Sequence, residues 1–334
     1  RMNKRILSGA FLIALLGMCS SCTNNDYTLS SPDGNLVMQL RPNEEGEWTY
    51  SFRAEGTLLI NESELGFDLV GDDDIPGEGW KVKDVSKREV RDVWKPIWGK
   101  RTKVDDHFNE VVLELSRKGT FPEKITLVAR AYNDGVAFQY RIPEDMTGEA
   151  RVESEETSYN FAGDYTAWYY NGENHNLGPE RLTEIGEERL PVMTIQAGDR
   201  HFMAIHEADL RTGEPLRLKS EKGETEFTVA SKPSVLVPGY ASAWRVIMHG
   251  NQPGELVDSH LIELLNPDPD PAYDFSWVKP GMAVWDWRIN GAEWEGFKYE
   301  MSYPSWIRMV DFAAEQGFNY LVLDANWYGP EFES

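Results

Sequence analysis

Apolar and polar residues alternate along most of this chain, in short runs separated by turn residues from Tyr27 onward. In "YTLSSPDGNLVMQL" the triplet Pro32-Asp33-Gly34 lies between two such runs. Proline presets a turn and glycine tolerates positive φ, so a hairpin is predicted there. The pattern returns in "TYSFRAEGTLLI", "NEVVLELSRKG", "KITLVARAYNDGVAFQYRI", "RHFMAIHEADL" and "SAWRVIMHG". With hardly an amphipathic helix among them, these runs predict a mainly β fold, a large antiparallel sandwich over residues 27–265.

The pattern then changes. "NPDPDPAYDFSWVKPG", residues 266–281, carries four prolines, which excludes regular structure and suits a connector between domains. After it, "MAVWDW" is strand-like. "YPSWIRMVDFAAEQG" places Pro304 in a first helical turn, apolar residues at Trp306, Met309, Val310, Ala313 and Ala314, and Gly317 at the stop. "FNYLVLDANW" returns to a strand. Strand, helix and strand make a βαβ unit, and two parallel strands cannot bury themselves. Residues 282–334 are therefore expected to open a (β/α)8 TIM barrel, incomplete at this length.

At the other end, "MNKRILSGAFLIALLGMCSSCTNND" has a basic start and an apolar stretch from Ala10 to Met18, too short for a permanent membrane span. Residues 1–22 are expected to be an export signal. Ser20-Ser21-Cys22 before a polar segment resembles the lipobox of bacterial lipoproteins, with Cys22 as the lipidated residue; an ordinary cleaved signal is the alternative. Both cysteines of the chain lie in this segment, so the body of the protein has none for a disulfide or a thiolate metal site. The expected location is the periplasm or the outer membrane of a Gram-negative bacterium, with the membrane contacted only through the lipid.

Charge removes one class of partner. Among 334 residues, 33 are basic and 56 acidic, a net charge of −23, and such a surface repels nucleic acid and anionic lipid. Twelve tryptophans and fourteen tyrosines suit sugar faces as well as cores. The six histidines show no H-x-x-x-H spacing for zinc, and most are expected at the surface or hydrogen-bonded.

Seven stretches in order resemble glycoside hydrolase family 97, the exported α-glucosidases and α-galactosidases. They are "SSPDGNLVMQL", "DVWKPIWGKRTKVDDHFNEVVLEL", "RAYNDGVAFQYRI", "HEADL", "SAWRVIM", "SWVKPGMAVWDW" and "FAAEQGFNYLVLDANWYG", spread over residues 27–330. The resemblance implies an N-terminal β-super-sandwich of the galactose-mutarotase kind, then a catalytic barrel. It also implies activity on terminal α-linked glucose or galactose of oligosaccharides or polysaccharides, calcium in the active site, and a monomer. It puts the principal catalytic carboxylates on strands beyond residue 334, so this chain alone is expected to be inactive.

Glycosidases need two carboxyl groups flanking the scissile bond. Asp324, at the C-terminal end of a barrel-like strand, is a candidate for contacting substrate, and Asn326 and Trp327 in the same loop could bind hydroxyls and stack on a sugar. Asp286 in "WDW" resembles part of the family's first barrel strand. Facing inward it would line the barrel mouth; facing outward it would pair with a helix dipole or a basic side chain. The family's calcium takes one glutamate from the N-terminal domain. Glu207 in "FMAIHEADL" is the best match, with Glu180 and Glu184 in "GPERLTEIG" as alternatives. "WKPIWGK", Trp94 to Lys100, could form a sugar platform or pack beside the active-site mouth. Two other readings stay open: a non-catalytic carbohydrate-binding surface lipoprotein, and an aldose-epimerase-like sandwich using His201 or His206 with Glu207.

Overall fold

The computed structural model describes residues 27–71, 75–76, 79–119, 121–173, 176–324 and 327–329. Cys22 and the export segment lie outside the described residues, as does Asn326. The chain divides into two compact units, a first reaching to Pro267 without Ile97–Gly99, and a second comprising Ile97–Gly99 and the chain from Asp268.

In the first unit the hairpin forms at Pro32-Asp33-Gly34. Strand Tyr27–Ser30 pairs with Leu36–Pro42, and Gly34 takes φ 78°, the left-handed region where glycine has no Cβ to clash. The Asp33 carboxylate closes the turn by accepting hydrogen bonds from Ser31 Oγ at 2.6 Å and the Asn35 amide at 3.0 Å. Strands Trp48–Ala54 and Thr57–Glu64 extend this hairpin into a four-stranded antiparallel sheet.

A twelve-stranded sheet lies against it. Its centre runs through Glu187–Ala197, His201–Ala208, Trp244–Gly250, Gly135–Arg141, Lys124–Tyr132, Val104–Ser116 and Lys81–Trp94, all antiparallel neighbours. Met38, Leu40, Tyr50 and Phe52 of the small sheet pack with Leu113, Leu127, Phe138 and Ile205 of the large one in a single core. Each such side chain contributes about 1.5–3 kcal/mol by leaving water. On the far face of the large sheet, Ala137, Trp244, Val246 and Met248 pack against Leu261 and Leu265 of the short helix Leu261–Leu265. Strands Gly135–Arg141 and Trp244–Gly250 are therefore covered on both faces, and their sequences lose the alternation that marks a half-exposed strand.

The second unit has one parallel ladder, Ala283–Trp285 with Tyr320–Val322. Helix Tyr303–Gln316 lies between these strands in the chain, with Pro304 in its first turn. It ends at Gly317, φ 72°, where the Gly317 amide bonds the Ala314 carbonyl and the Phe318 amide bonds that of Ala313. That is the Schellman pattern for satisfying terminal carbonyls. The expected apolar face needs correction: Ser305, Met309 and Ala313 are buried, whereas Ala314 is exposed and Val310 is 46 % exposed. A pair of three-residue strands offers too narrow a surface to cover the whole apolar stripe. Residues 266–281 contain neither helix nor strand.

Candidate functional site

In the second unit the C-terminal ends of the two parallel strands bring Asp286 and Asp324 together. Asp286 follows strand Ala283–Trp285 and opens a one-turn helix, Asp286–Ile289. It is 1 % exposed. Its Oδ2 accepts a hydrogen bond from Trp306 Nε1 at 2.8 Å and its Oδ1 accepts one from the Asp324 amide at 2.9 Å. Of the sequence expectations for Asp286, the place at a helix N-terminus is present, whereas an indole and a backbone amide, not a basic side chain, bond its oxygens.

Asp324 is the partly exposed carboxylate of the pair, and its Oδ2 accepts a hydrogen bond from Trp285 Nε1 at 2.7 Å. One donor, the Trp285 indole, and one acceptor, the Asp286 carboxylate, thus hold its side chain and its backbone. Trp285 also borders an apolar groove of about 710 Å³ lined by Ile289, Trp294, Met309 and Phe312, where the Arg288 guanidinium sits 4.8 Å from the Trp285 ring centre. Trp327 is exposed and meets Tyr328 edge-on. The indole donors of Trp285 and Trp306 were absent from the sequence reading, which took tryptophan as an apolar or stacking residue.

In the first unit Glu207 points into a buried ionic network. Arg245, 1 % exposed, donates Nε to Glu155 Oε1 at 2.9 Å and Nη2 to Glu155 Oε2, and Nη1 to Glu207 Oε2 at 3.0 Å. The Leu216 amide donates to the same Glu207 oxygen at 2.9 Å. Burial pushes the Arg245 guanidinium down, and Glu155 more than reverses this, so the arginine stays charged. Glu207, with its side chain 14 % exposed, shares that cation with Glu155. Glu207 is therefore not a solvated strand end, and Oε2, held by a guanidinium and a backbone amide, is not open to a metal ion. Neither Arg245 nor Glu155 carries a local sequence signal, since they lie 90 positions apart.

The alternatives differ from it. Glu180 is partly exposed and accepts a hydrogen bond from the Tyr169 hydroxyl at 2.6 Å, a neutral partner that leaves the carboxylate its charge. Glu184 is exposed and caps its own turn through the Arg181 amide. Among the described residues no cluster of three His, Cys, Asp or Glu side chains is arranged to hold a metal ion.

Among the described histidines, His107, His201, His249 and His260 are hydrogen-bonded, as expected. His201 Nδ1 and His249 Nε2 are 3.0 Å apart, and burial first, then the neighbouring His201, lowers the His249 pKa to about 4. His206 and Glu207 are consecutive in strand His201–Ala208 and so project to opposite faces. His206 therefore cannot face one sugar ring together with Glu207, and His201, six residues before Glu207 in the same strand, lies about 20 Å away along it, so the epimerase arrangement is not assembled. In the Trp94–Lys100 segment, Trp98 is 70 % exposed, while Lys100 Nζ donates to the Val257 carbonyl at the end of helix Pro253–Asp258.

An antiparallel β-sandwich of three sheets in one unit and a parallel βαβ unit with a carboxylate fixed at its strand end in the other define a two-unit, mainly β protein. The sequence profile described as Glycosyl-hydrolase 97 N-terminal matches residues 29–267, and the chain belongs to that glycoside hydrolase family. It is 24 % identical over 365 residues to the "Retaining alpha-galactosidase" of Bacteroides thetaiotaomicron, covering 94 % of this chain and 53 % of that protein. It is 26 % identical over 346 residues to a "Probable retaining alpha-galactosidase" of Streptomyces bingchenggensis, covering 98 % of this chain and 52 % of the relative. The chain thus spans about half the length of these curated relatives. Among solved structures, a family 97 enzyme from Pseudoalteromonas sp. strain K8 in complex with panose superposes with TM-score 0.78 at 24 % identity, over 91 % of this chain and 48 % of that one. A beta-arabinopyranosidase superposes with TM-score 0.75 at 19 % identity, over 90 % and 51 %. The fold class expected from the sequence, mainly β with an N-terminal super-sandwich, is the one observed.

Proposed function

We propose that this chain is part of an exported, exo-acting glycoside hydrolase that removes terminal α-linked galactose or glucose from oligosaccharides or polysaccharides. The observation that carries the reading is Asp324, a partly exposed carboxylate at the C-terminal end of a parallel strand, where barrel enzymes collect their functional groups, held by Trp285 and by Asp286. In this reading Asp324 bonds sugar hydroxyls, Trp285 orients its carboxylate and offers a ring face, and Asp286 is a positioning residue. Asn326 and Trp327 would complete the same loop.

The names of the two curated relatives support galactose and a retaining outcome. Retention needs two carboxyl groups about 5–5.5 Å apart across the glycosidic bond. In this reading the reacting pair is supplied by sequence beyond residue 334, and the 334-residue chain turns over no substrate. In the complete enzyme, Asp324→Asn should lower kcat/KM for an aryl α-galactoside about 10–100-fold, the loss expected for a hydrogen bond to a charged group. Unchanged kinetics would remove Asp324 from the site, and turnover by the present chain would remove the requirement for missing acids.

Calcium remains part of the proposal for the complete enzyme, where it would neutralise developing negative charge and orient donors. Glu180 suits it better than Glu207, because its partner is a neutral hydroxyl rather than a guanidinium. Titration calorimetry of calcium into the complete enzyme should be weakened by Glu180→Gln and left alone by Glu207→Gln; the reverse order would restore Glu207. Export and lipidation at Cys22 are tested by Cys22→Ala, which should release the protein from membranes and abolish incorporation of labelled palmitate.

A further inference from the structure

In the second unit, the chain between the strand end at Trp285 and the helix starting at Tyr303 forms a small hairpin, with Glu293-Trp294 paired to Phe297-Lys298. Glu295 and Gly296 join the two strands at φ 51° and 74°, the left-handed pair of a type I′ turn. Bonds from the Gly291 amide to the Tyr299 carbonyl at 2.7 Å and from the Tyr299 amide to the Ala292 carbonyl at 2.8 Å lengthen the ladder. The Arg308 guanidinium lies 4.0 Å from the Phe297 ring centre and ties the hairpin to helix Tyr303–Gln316.

Trp294 is 67 % exposed. Among the described residues no ring or cation packs on it and its indole N–H meets no acceptor, whereas Phe297, opposite it in the ladder, is covered by Arg308 and Tyr299. The hairpin fixes the backbone of Trp294 and leaves its ring free. Trp294 and Trp285 line the same groove of about 710 Å³, and the Trp285 indole bonds Asp324. The hairpin also belongs to the connection that leaves the C-terminal end of a parallel strand, the end where barrel enzymes assemble their substrate-binding loops.

The polar groups of the groove decide what fits it. Arg288 and Arg308 line it, each packed on an aromatic ring, and among the described residues neither pairs with a carboxylate. A wholly apolar cover would take both guanidinium groups out of water without acceptors, at a large desolvation cost. A sugar avoids that cost. It has an apolar C–H face for an indole and a rim of hydroxyl oxygens that accept from a guanidinium.

We propose that Trp294 is a specificity-determining residue whose indole stacks on the sugar unit next to the terminal one, on the leaving-group side, with Arg288 donating to that unit's hydroxyls. The terminal sugar lies at Asp324, so the oligosaccharide that runs outward from it passes the groove bordered by Trp285 and Trp294. This rests on the glycosidase reading and adds to it that the preferred leaving group is itself a sugar.

The test compares, in the complete enzyme, melibiose with α-galactosyl fluoride and maltose with α-glucosyl fluoride, pairs in which the leaving group is glucose or fluoride. Trp294→Ala should lower the ratio of kcat/KM for the disaccharide to that for the fluoride about 10-fold, through KM, the order expected when one aromatic face loses its partner. Trp294→Phe, which keeps a ring on the hairpin, should recover most of the ratio. A ratio within about 2-fold of the native value, or an equal loss on both substrates of a pair, overturns the inference and leaves the glycosidase reading in place. A native enzyme that turns over none of these substrates overturns both.

Discussion

In the sandwich, Phe52, Leu127, Phe138 and Ile205 lie wholly out of solvent, in a core drawn from three sheets, with a second cluster between the large sheet and helix Leu261–Leu265. In the second unit only Met309 and Ala313 are buried among the described apolar side chains, while Trp277, Trp287, Trp294 and Phe312 stay at least half exposed. Both units are rich in aromatic residues. The difference is one of topology. Antiparallel strands joined by short hairpins complete their ladders locally and then stack, whereas a parallel pair needs helices on both faces and here has one fourteen-residue helix between its strands. What holds the second unit's strand ends is polar: Trp306 and the Asp324 amide on Asp286, and Trp285 on Asp324.

The largest effect expected from breaking this contrast is in the ionic network of the sandwich. Glu155→Ala leaves Arg245 buried with Glu207 as its remaining carboxylate, and should cost about 3–5 kcal/mol in denaturant unfolding. A cost under about 1 kcal/mol would mean that water reaches the arginine.

Next is the apolar contrast. Leu127→Ala, in the sandwich core, should cost about 2–5 kcal/mol, and Met309→Ala should fall at or below the bottom of that range because fewer neighbours surround it. Equal costs would show that the second unit has a core of similar quality.

A pH experiment tests the sandwich alone. His249, buried beside His201 with Glu55 and Glu255 nearby, has its pKa lowered to about 4. The unfolded chain takes up this proton near pH 6.5 and the folded chain resists it until about pH 4. Stability is therefore fully present above pH 6.5 and is lost as pH falls through that window, by up to about 3 kcal/mol. His249→Gln should flatten this part of the stability–pH curve; an unaltered curve would show that the loss comes from other groups.

The smallest change concerns the second unit's polar anchor. Trp306→Phe removes one hydrogen-bond donor from a buried carboxylate and should cost about 1–3 kcal/mol, read as faster amide exchange in residues 303–316 with the sandwich untouched. Protection equal to that of the native chain would mean that Asp286 does not depend on the indole.

Much of the architecture was legible from residue order. Alternation and turn chemistry gave the hairpin at Pro32-Asp33-Gly34, the strands on either side of Asn133-Asp134, and the helix stopped by Gly317, because φ preference and side-chain period are properties of neighbouring residues. Asp324 at a strand end was legible for the same reason. Its environment was not: Asp286, Trp285 and Trp306 act on it or on one another through hydrogen bonds spanning 20 to 39 positions.

The same limit explains Glu207. A glutamate near the end of a strand reads identically whether it faces water, a metal ion or an arginine 38 positions later, and only the register of strands His201–Ala208 and Trp244–Gly250, with Glu207 opposite Arg245, decided for the arginine. Local order set the φ, ψ and polarity of each segment. Which charges lost their water, and therefore what each acid or base can still bind, was fixed only when distant strands came into register.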